Sequence, residues 1–211
     1  MELVWDAVGE KTYQTGVDRG VLYLPDGTAV PWNGLTNISE TLSREVKSYY
    51  IDGIKYLDKH VPGSYAGKLS AFTYPDELEG VLGTEEFAPG VYVHDQKASL
   101  FHLSYRTGMG NDIEGMDYGY RIHILYNVMA VPSDTSLSTL GEQVVAQVFE
   151  WNLSGTPANM WGIRPTSHIS LDSTRIDADL LEDIETSLYG SALVDPALPG
   201  LVDLLALVED S

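Results

Sequence analysis

The sequence predicts a mainly β fold of the α+β type. A β-sandwich or barrel fills residues 1–175, with one short mid-chain helix, and a helical extension over residues 176–211 packs on it or on a neighbouring subunit. Three observations carry this. Short β-forming runs alternate with turn signals through the first two-thirds of the chain. Two central runs alternate apolar and polar residues with period two. After residue 176 the apolar spacing changes to that of a helix.

Val21-Leu22-Tyr23-Leu24 runs into the turn Pro25-Asp26-Gly27-Thr28 and out through Ala29-Val30-Pro31-Trp32. Proline sets φ at the first turn position and glycine tolerates a positive φ after it. Ser48 to Ile51 and Ile54 to Leu57 flank Asp52-Gly53, the preferred two-residue hairpin connection. Val61 to Gly67 reads as loop and Leu69 to Thr73 as strand. Pro75 to Leu82 reads as a short helix, with acids near its N-terminus and Gly83 as its C-terminal cap.

The central runs are Leu100–Arg106 and Arg121–Val128. In the first, Phe101, Leu103 and Tyr105 share one face, opposite Leu100, His102, Ser104 and Arg106. In the second, Ile122, Ile124, Tyr126 and Val128 oppose Arg121, His123, Leu125 and Asn127. Thr107 to Asp117 between them reads as a long, polar, glycine-rich loop. Gln143–Leu153 and Thr166–Leu171 supply two more strands. Asp177 caps a helix whose apolar residues are Leu180, Leu181, Ile184 and Leu188, ending before Gly190. The apolar segment from Leu201 onward needs a surface to dock on.

Composition narrows function. Among 211 residues, 31 acids face 12 bases, a formal charge of −19. Ten acids and one base fall in residues 172–211. That surplus excludes gripping nucleic acid or an anionic membrane through clustered Lys and Arg. Hydrophobic content of 44% excludes an acidic disordered tail. Cysteine is absent, which removes disulfides, thiol catalysis and cysteine-ligated metals. The N-terminus lacks a signal-peptide pattern, and no apolar run approaches the ~20 residues of a spanning helix.

No catalytic, cofactor or metal motif emerges. There is no Gly-x-Ser-x-Gly elbow and no His-Glu-x-x-His pair. His60, His94, His102, His123 and His168 show no motif spacing; the strands could bring His102 and His123 together, and ordinary sheet-surface histidines are expected there. Gly108-Met109-Gly110 is followed by a strand and no lysine, so it is no phosphate loop. Asn37-Ile38-Ser39 and Asn152-Leu153-Ser154 are chance sequons. Two rivals remain: an acidic carbohydrate-binding module stacking sugars on its Tyr and Trp residues, and an acidic hydrolase built on two unidentified carboxylates.

The segments Gly16–Leu35 (GVDRGVLYLPDGTAVPWNGL), Tyr49–Leu57 (YYIDGIKYL) and Phe72–Leu78 (FTYPDEL) resemble the major tail proteins, or tail tube proteins, of long-tailed phages of actinobacteria. Tyr105–Thr107, Gly110–Asp112, Tyr118–His123, Leu125–Asn127 and Asp172–Thr174 extend the resemblance, in order, over most of residues 5–190. None is a chemical motif; specificity lies in their number and order. The resemblance implies a tail-tube-like β-sandwich or barrel and a structural virion protein, not an enzyme. It implies stacked, hexameric rings forming a tube through which phage DNA is ejected, with no cofactor and no membrane. Implied partners are further copies of the chain, other tail proteins, and DNA passing through the lumen; the implied location is the virion tail, after assembly in the host cytoplasm. By analogy, Leu100, His102, Ser104, Arg121, His123 and Asn127 are inner-sheet candidates. Asp52, Gly53, Lys55, Arg106, Asn111, Asp112 and Glu114 are candidates for contacts between subunits or rings. Arg19, Lys47, Lys55 and Arg106 are the bases expected to meet acids of neighbouring subunits.

Overall fold

The computed structural model describes residues 3–42, 45–61, 64–135, 139, 146–158 and 164–209. Its elements run β1 (Tyr13–Tyr23), β2 (Ala29–Trp32), β3 (Leu35–Leu42), β4 (Glu45–Ile51), β5 (Ile54–Val61), β6 (Tyr65–Ala71) and α1 (Glu77–Leu82). There follow β7 (Glu85–Ala88), β8 (Val91–Val93), β9 (Phe101–Asn111), β10 (Gly115–Pro132), β11 (Phe149–Gly155), β12 (His168–Asp172), α2 (Ala178–Tyr189) and α3 (Leu201–Glu209). The chain is mainly β, with helices in the middle and at the C-terminal end, as its patterning predicts.

One antiparallel sheet of eight strands dominates, in the order β2-β1-β9-β10-β11-β6-β3. β12 pairs with the first half of β10 and β11 with its second half. Strand twist and bulges roll this sheet. Gly20 of β1 lies against the Leu35 side chain of β3, and Trp32 of β2 meets Trp151 of β11 edge-to-face at 5.3 Å across the interior. β1 and β3 approach without pairing, so the roll is unsealed by backbone hydrogen bonds there.

Both faces of the central strands are covered. Phe101, Leu103, Tyr105, Leu125, Val128, Trp151 and Leu153 fill the inside of the roll, where α1 adds Leu78 and Val81. Val21, Tyr23, Ile122, Ile124 and Tyr126 on the other face pack against Leu181, Ile184 and Leu188 of α2 and Leu201 and Leu204 of α3. The C-terminal helices thus bury their apolar stripes on the chain's own sheet. Asp177 accepts from the backbone N–H of Asp179 and Leu180, satisfying two otherwise orphaned donors.

The structure differs from the sequence reading in particular places. Thr107–Asp117 is not a long loop: β9 and β10 run on to a tight turn at residues 112–114. Gly110 is there for clearance, since a Cβ on it would lie 2.4 Å from the Tyr13 ring, whereas Gly115 supplies a positive φ of 61° after the turn. Asn111 Oδ1 closes the turn by accepting from Ile113 and Glu114 N–H. Tyr65 to Gly67 belongs to a strand, not a loop; Pro62 and Gly63 lie outside the described residues. Val128 faces the interior with Leu125, not the face of Ile122 and Ile124. A bulge at Asn127, whose φ is +50°, inserts one residue and reverses the alternation. The sequence pattern does not reveal β3, whose stretch is too polar to show alternation, or the β7–β8 hairpin, whose strands of four and three residues are too short to show it. The expected strands at 143–153 and 166–171 appear as β11 and β12; Gln143 to 145 lie outside the described residues.

Candidate assembly surfaces and an interior polar cluster

Asp52 and Gly53 form the tip of the β4–β5 arm, both with positive φ, as an Asp-Gly hairpin turn demands. Among the described residues, the two strands pair only with each other. Their side chains are nevertheless apolar: Val46, Tyr49, Tyr50, Ile51, Ile54, Tyr56 and Leu57 are 44–73% exposed. Lys55 Nζ reaches Asp58 at 2.7 Å, and Ser48 donates to the same carboxylate. A two-stranded hairpin alone is marginal in water. Its apolar residues stand in solvent in the single chain.

The second loop candidate is the β9–β10 tip. Asn111 is buried in its turn, Asp112 accepts the Gly9 N–H at 3.0 Å, and Glu114 is exposed beside Ile113 and Met116. The N-terminal segment, with Leu3, Val4, Trp5 and Val8 all exposed, brings Gly9 against Ile113. A further exposed patch, Phe87, Val91, Tyr92 and Val93, lies on the β7–β8 hairpin. Among the described residues, the main sheet's path ends at β2 and β3, and β12, paired with β10 alone, leaves a further unpaired edge.

Of the bases expected to seek a neighbouring subunit, Lys55 has its acid in Asp58, and Arg106 likewise finds one within the chain. It makes a bidentate pair with Asp18 at 2.7 and 2.8 Å and stacks over Tyr120. Arg19 lies over the Tyr189 ring. The hydrogen bond from Arg106 holds the Asp18 carboxyl below its ordinary range, with burial opposing. A depressed carboxyl contributes stability above its unfolded pKa, near 3.8, and loses it as pH falls through the folded value. Because Asp18 is largely exposed, the pair contributes below ~1 kcal/mol. The stability gap between the wild type and Arg106→Gln, from urea unfolding, is therefore expected to narrow between pH 6 and pH 3. An unchanged gap would assign the whole effect to the Tyr120 stack.

The inner-sheet candidates are divided between the covered faces. Ser104 is fully enclosed, its hydroxyl 3.2 Å from that of Tyr23. His102 Nδ1 accepts from Asn127 N–H, and Arg121 pairs with Asp172 at 2.8 Å. Leu100 lies at the rim. His102 and His123 do not come together: pairing of His123 with Tyr105 and of Leu125 with Leu103 puts them on opposite faces.

His123 instead meets residues that no sequence motif singles out. On the inner side of the sheet, His123 Nδ1 lies 3.1 Å from His168 Nε2 and 3.4 Å from Oε1 of Glu40, an exposed residue of β3. His168 Nε2 is 3.8 Å from the same oxygen. Tyr105 stacks on His123 and donates its hydroxyl to Glu40 Oε1. His123 Nε2 is 3.1 Å from Thr107 Oγ1. The Tyr65 hydroxyl is buried alongside without a well-formed hydrogen bond, although it interacts electrostatically with Tyr105 and Glu40. Burial pushes both imidazoles below the ordinary histidine range, so both rings are neutral at neutral pH. No local signal marks this cluster, because its members sit on three strands far apart in sequence.

No family model matches the chain, and no curated protein does. Among solved structures, the chain is similar to a component of the sheath–tube complex of an extracellular contractile injection system in its extended state. That match has 15% identity and a TM-score of 0.41, covering 80% of this chain and 94% of the other. The tube-terminating cap of the anti-feeding prophage gives 12% identity and a TM-score of 0.40, covering 82% and 95%. A sheath/tube terminator of the extracellular injection system gives 16% and 0.39, covering 75% and 97%. Superpositions this loose transfer nothing from those proteins to this chain.

Proposed function

We propose that the chain is a structural subunit of a phage tail tube, self-assembling into stacked rings that conduct DNA. The carrying observation is the β4–β5 arm: apolar, exposed and, among the described residues, paired with no other strand. A side chain of that kind left in water forgoes about 1.5–3 kcal/mol that burial would return. A repeating homo-oligomer supplies that cover with another copy of the same surface. The open edges β2 and β3 offer lateral pairing within a ring, and the arm and the β9–β10 tip offer contacts between rings. The order of sequence segments resembling tail tube proteins supports the same reading, with hexameric rings as the expected symmetry.

The charge fits a conduit. DNA must pass without sticking, and a net charge of −19 repels phosphate over about 10 Å at 0.1 M salt. Other tail proteins would meet the ends of such a tube, and the virion tail would be its location. Negative-stain microscopy of the concentrated pure protein is expected to show hollow rods or stacked rings. Persistent monomers that bind a glycan, or turn over a substrate, would overturn the proposal.

A further inference from the structure

We infer that Glu40, His123 and His168 form a binding site for one divalent transition-metal ion of the Zn2+ type, which ties β3 to β10 and β12 across the interior of the rolled sheet.

The geometry selects this ligand. Zn2+ holds imidazole nitrogen and carboxylate oxygen at about 2.0–2.1 Å in a tetrahedron, whose edges are then about 3.4 Å. The three donor atoms here stand 3.1, 3.4 and 3.8 Å apart. They form one triangular face of such a tetrahedron, leaving the fourth position to water. Octahedral coordination at the same bond length requires edges of about 2.9 Å, shorter than all three. Two nitrogens in three donors also disfavour Mg2+ and Ca2+, which select oxygen. Two imidazoles and one carboxylate make a complete set of protein ligands for such an ion, with no need of the cysteine this chain lacks.

The surroundings orient the ligands. Thr107 Oγ1 engages the far nitrogen of His123, leaving Nδ1 to face Glu40 and His168. The Tyr105 ring lies flat on His123, and its hydroxyl holds Glu40. Such outer contacts set ring orientation and ligand basicity in metal centres. The position also has a mechanical use. β1 and β3 approach without hydrogen bonds, and a metal bridge from β3 to β10 and β12 would fasten the roll near that unsealed seam.

The test uses the full chain, dialysed against a chelator, then titrated with Zn2+ by calorimetry and followed by thermal melting. One ion per chain and a melting temperature that rises with Zn2+ are expected. Glu40→Gln and His168→Gln are each expected to weaken binding at least ~10-fold, and Thr107→Val by ~10–100-fold, the range for second-sphere changes. His94→Gln, on the surface, is expected to bind as the parent does. Co2+ in place of Zn2+ is expected to give the intense visible absorption of a tetrahedral site, lost in His168→Gln. Absence of any heat and any melting shift in the wild type would overturn the proposal, as would binding that survives both Glu40→Gln and His168→Gln. Neither result bears on whether the chain forms tubes.

Discussion

The triple variant Tyr50→Thr, Ile54→Thr, Tyr56→Thr is expected to abolish rod formation at concentrations where the wild type assembles. These side chains lie on the β4–β5 arm, among the most exposed apolar residues of the chain. Threonine retains β-propensity, and the Asp52-Gly53 turn is untouched, so the hairpin is preserved. Exposed positions cost little in folding; the melting temperature of the subunit is expected to stay within about 2 °C of the parent. If each side chain is buried on assembly, losing three removes ~5 kcal/mol, or roughly 4,000-fold in self-association. Size-exclusion chromatography with light scattering and microscopy would measure both forms. Rods at the parental concentration would exclude the arm as the contact. Loss of rods in Phe87→Thr, Tyr92→Thr alone would move it to the β7–β8 hairpin.

Phe101→Ala is expected to show the largest loss of folding stability of any single change considered. Phe101 is fully buried inside the roll, where β9 pairs it with Val128 just past the Asn127 bulge. Truncation leaves a cavity among close-packed neighbours and costs about 3–5 kcal/mol. For a chain of this size that lowers the melting temperature by on the order of 10 °C. Urea unfolding of the monomer measures it, with Tyr92→Ala as an exposed comparison expected near zero. A loss below about 1 kcal/mol would mean that the interior collapses around the gap, and that the roll is softer than its packing indicates.

Much of the architecture was legible because its causes are local. The Asp52-Gly53 hairpin, the Gly83 cap with φ +91° and the Asp177 cap each follow from what one or two residues can do. The apolar spacing of Leu181, Ile184 and Leu188 likewise announced a one-sided helix. The Gly108–Gly110 stretch misled for the opposite reason. Its glycines answer the Tyr13 ring and Met116, contacts that lie far away or several residues along in sequence. A residue chosen for clearance looks, in one dimension, like a residue chosen for flexibility. The Asn127 bulge is a similar case, since a single inserted residue reverses every later side chain.

By itself the sequence determined the β-rich class, the caps and turns, the exclusion of cysteine chemistry, and the acid excess that bars DNA gripping. These depend on composition or on neighbours within a few residues. Only the tertiary structure decided which face of each strand is buried, where the C-terminal helices rest, and that the arm stands apart. It alone brought Glu40, His123 and His168 together from three strands. Their convergence depends on strand order, register and the roll of the sheet, which arise from packing summed over the whole chain and leave no mark at any one position.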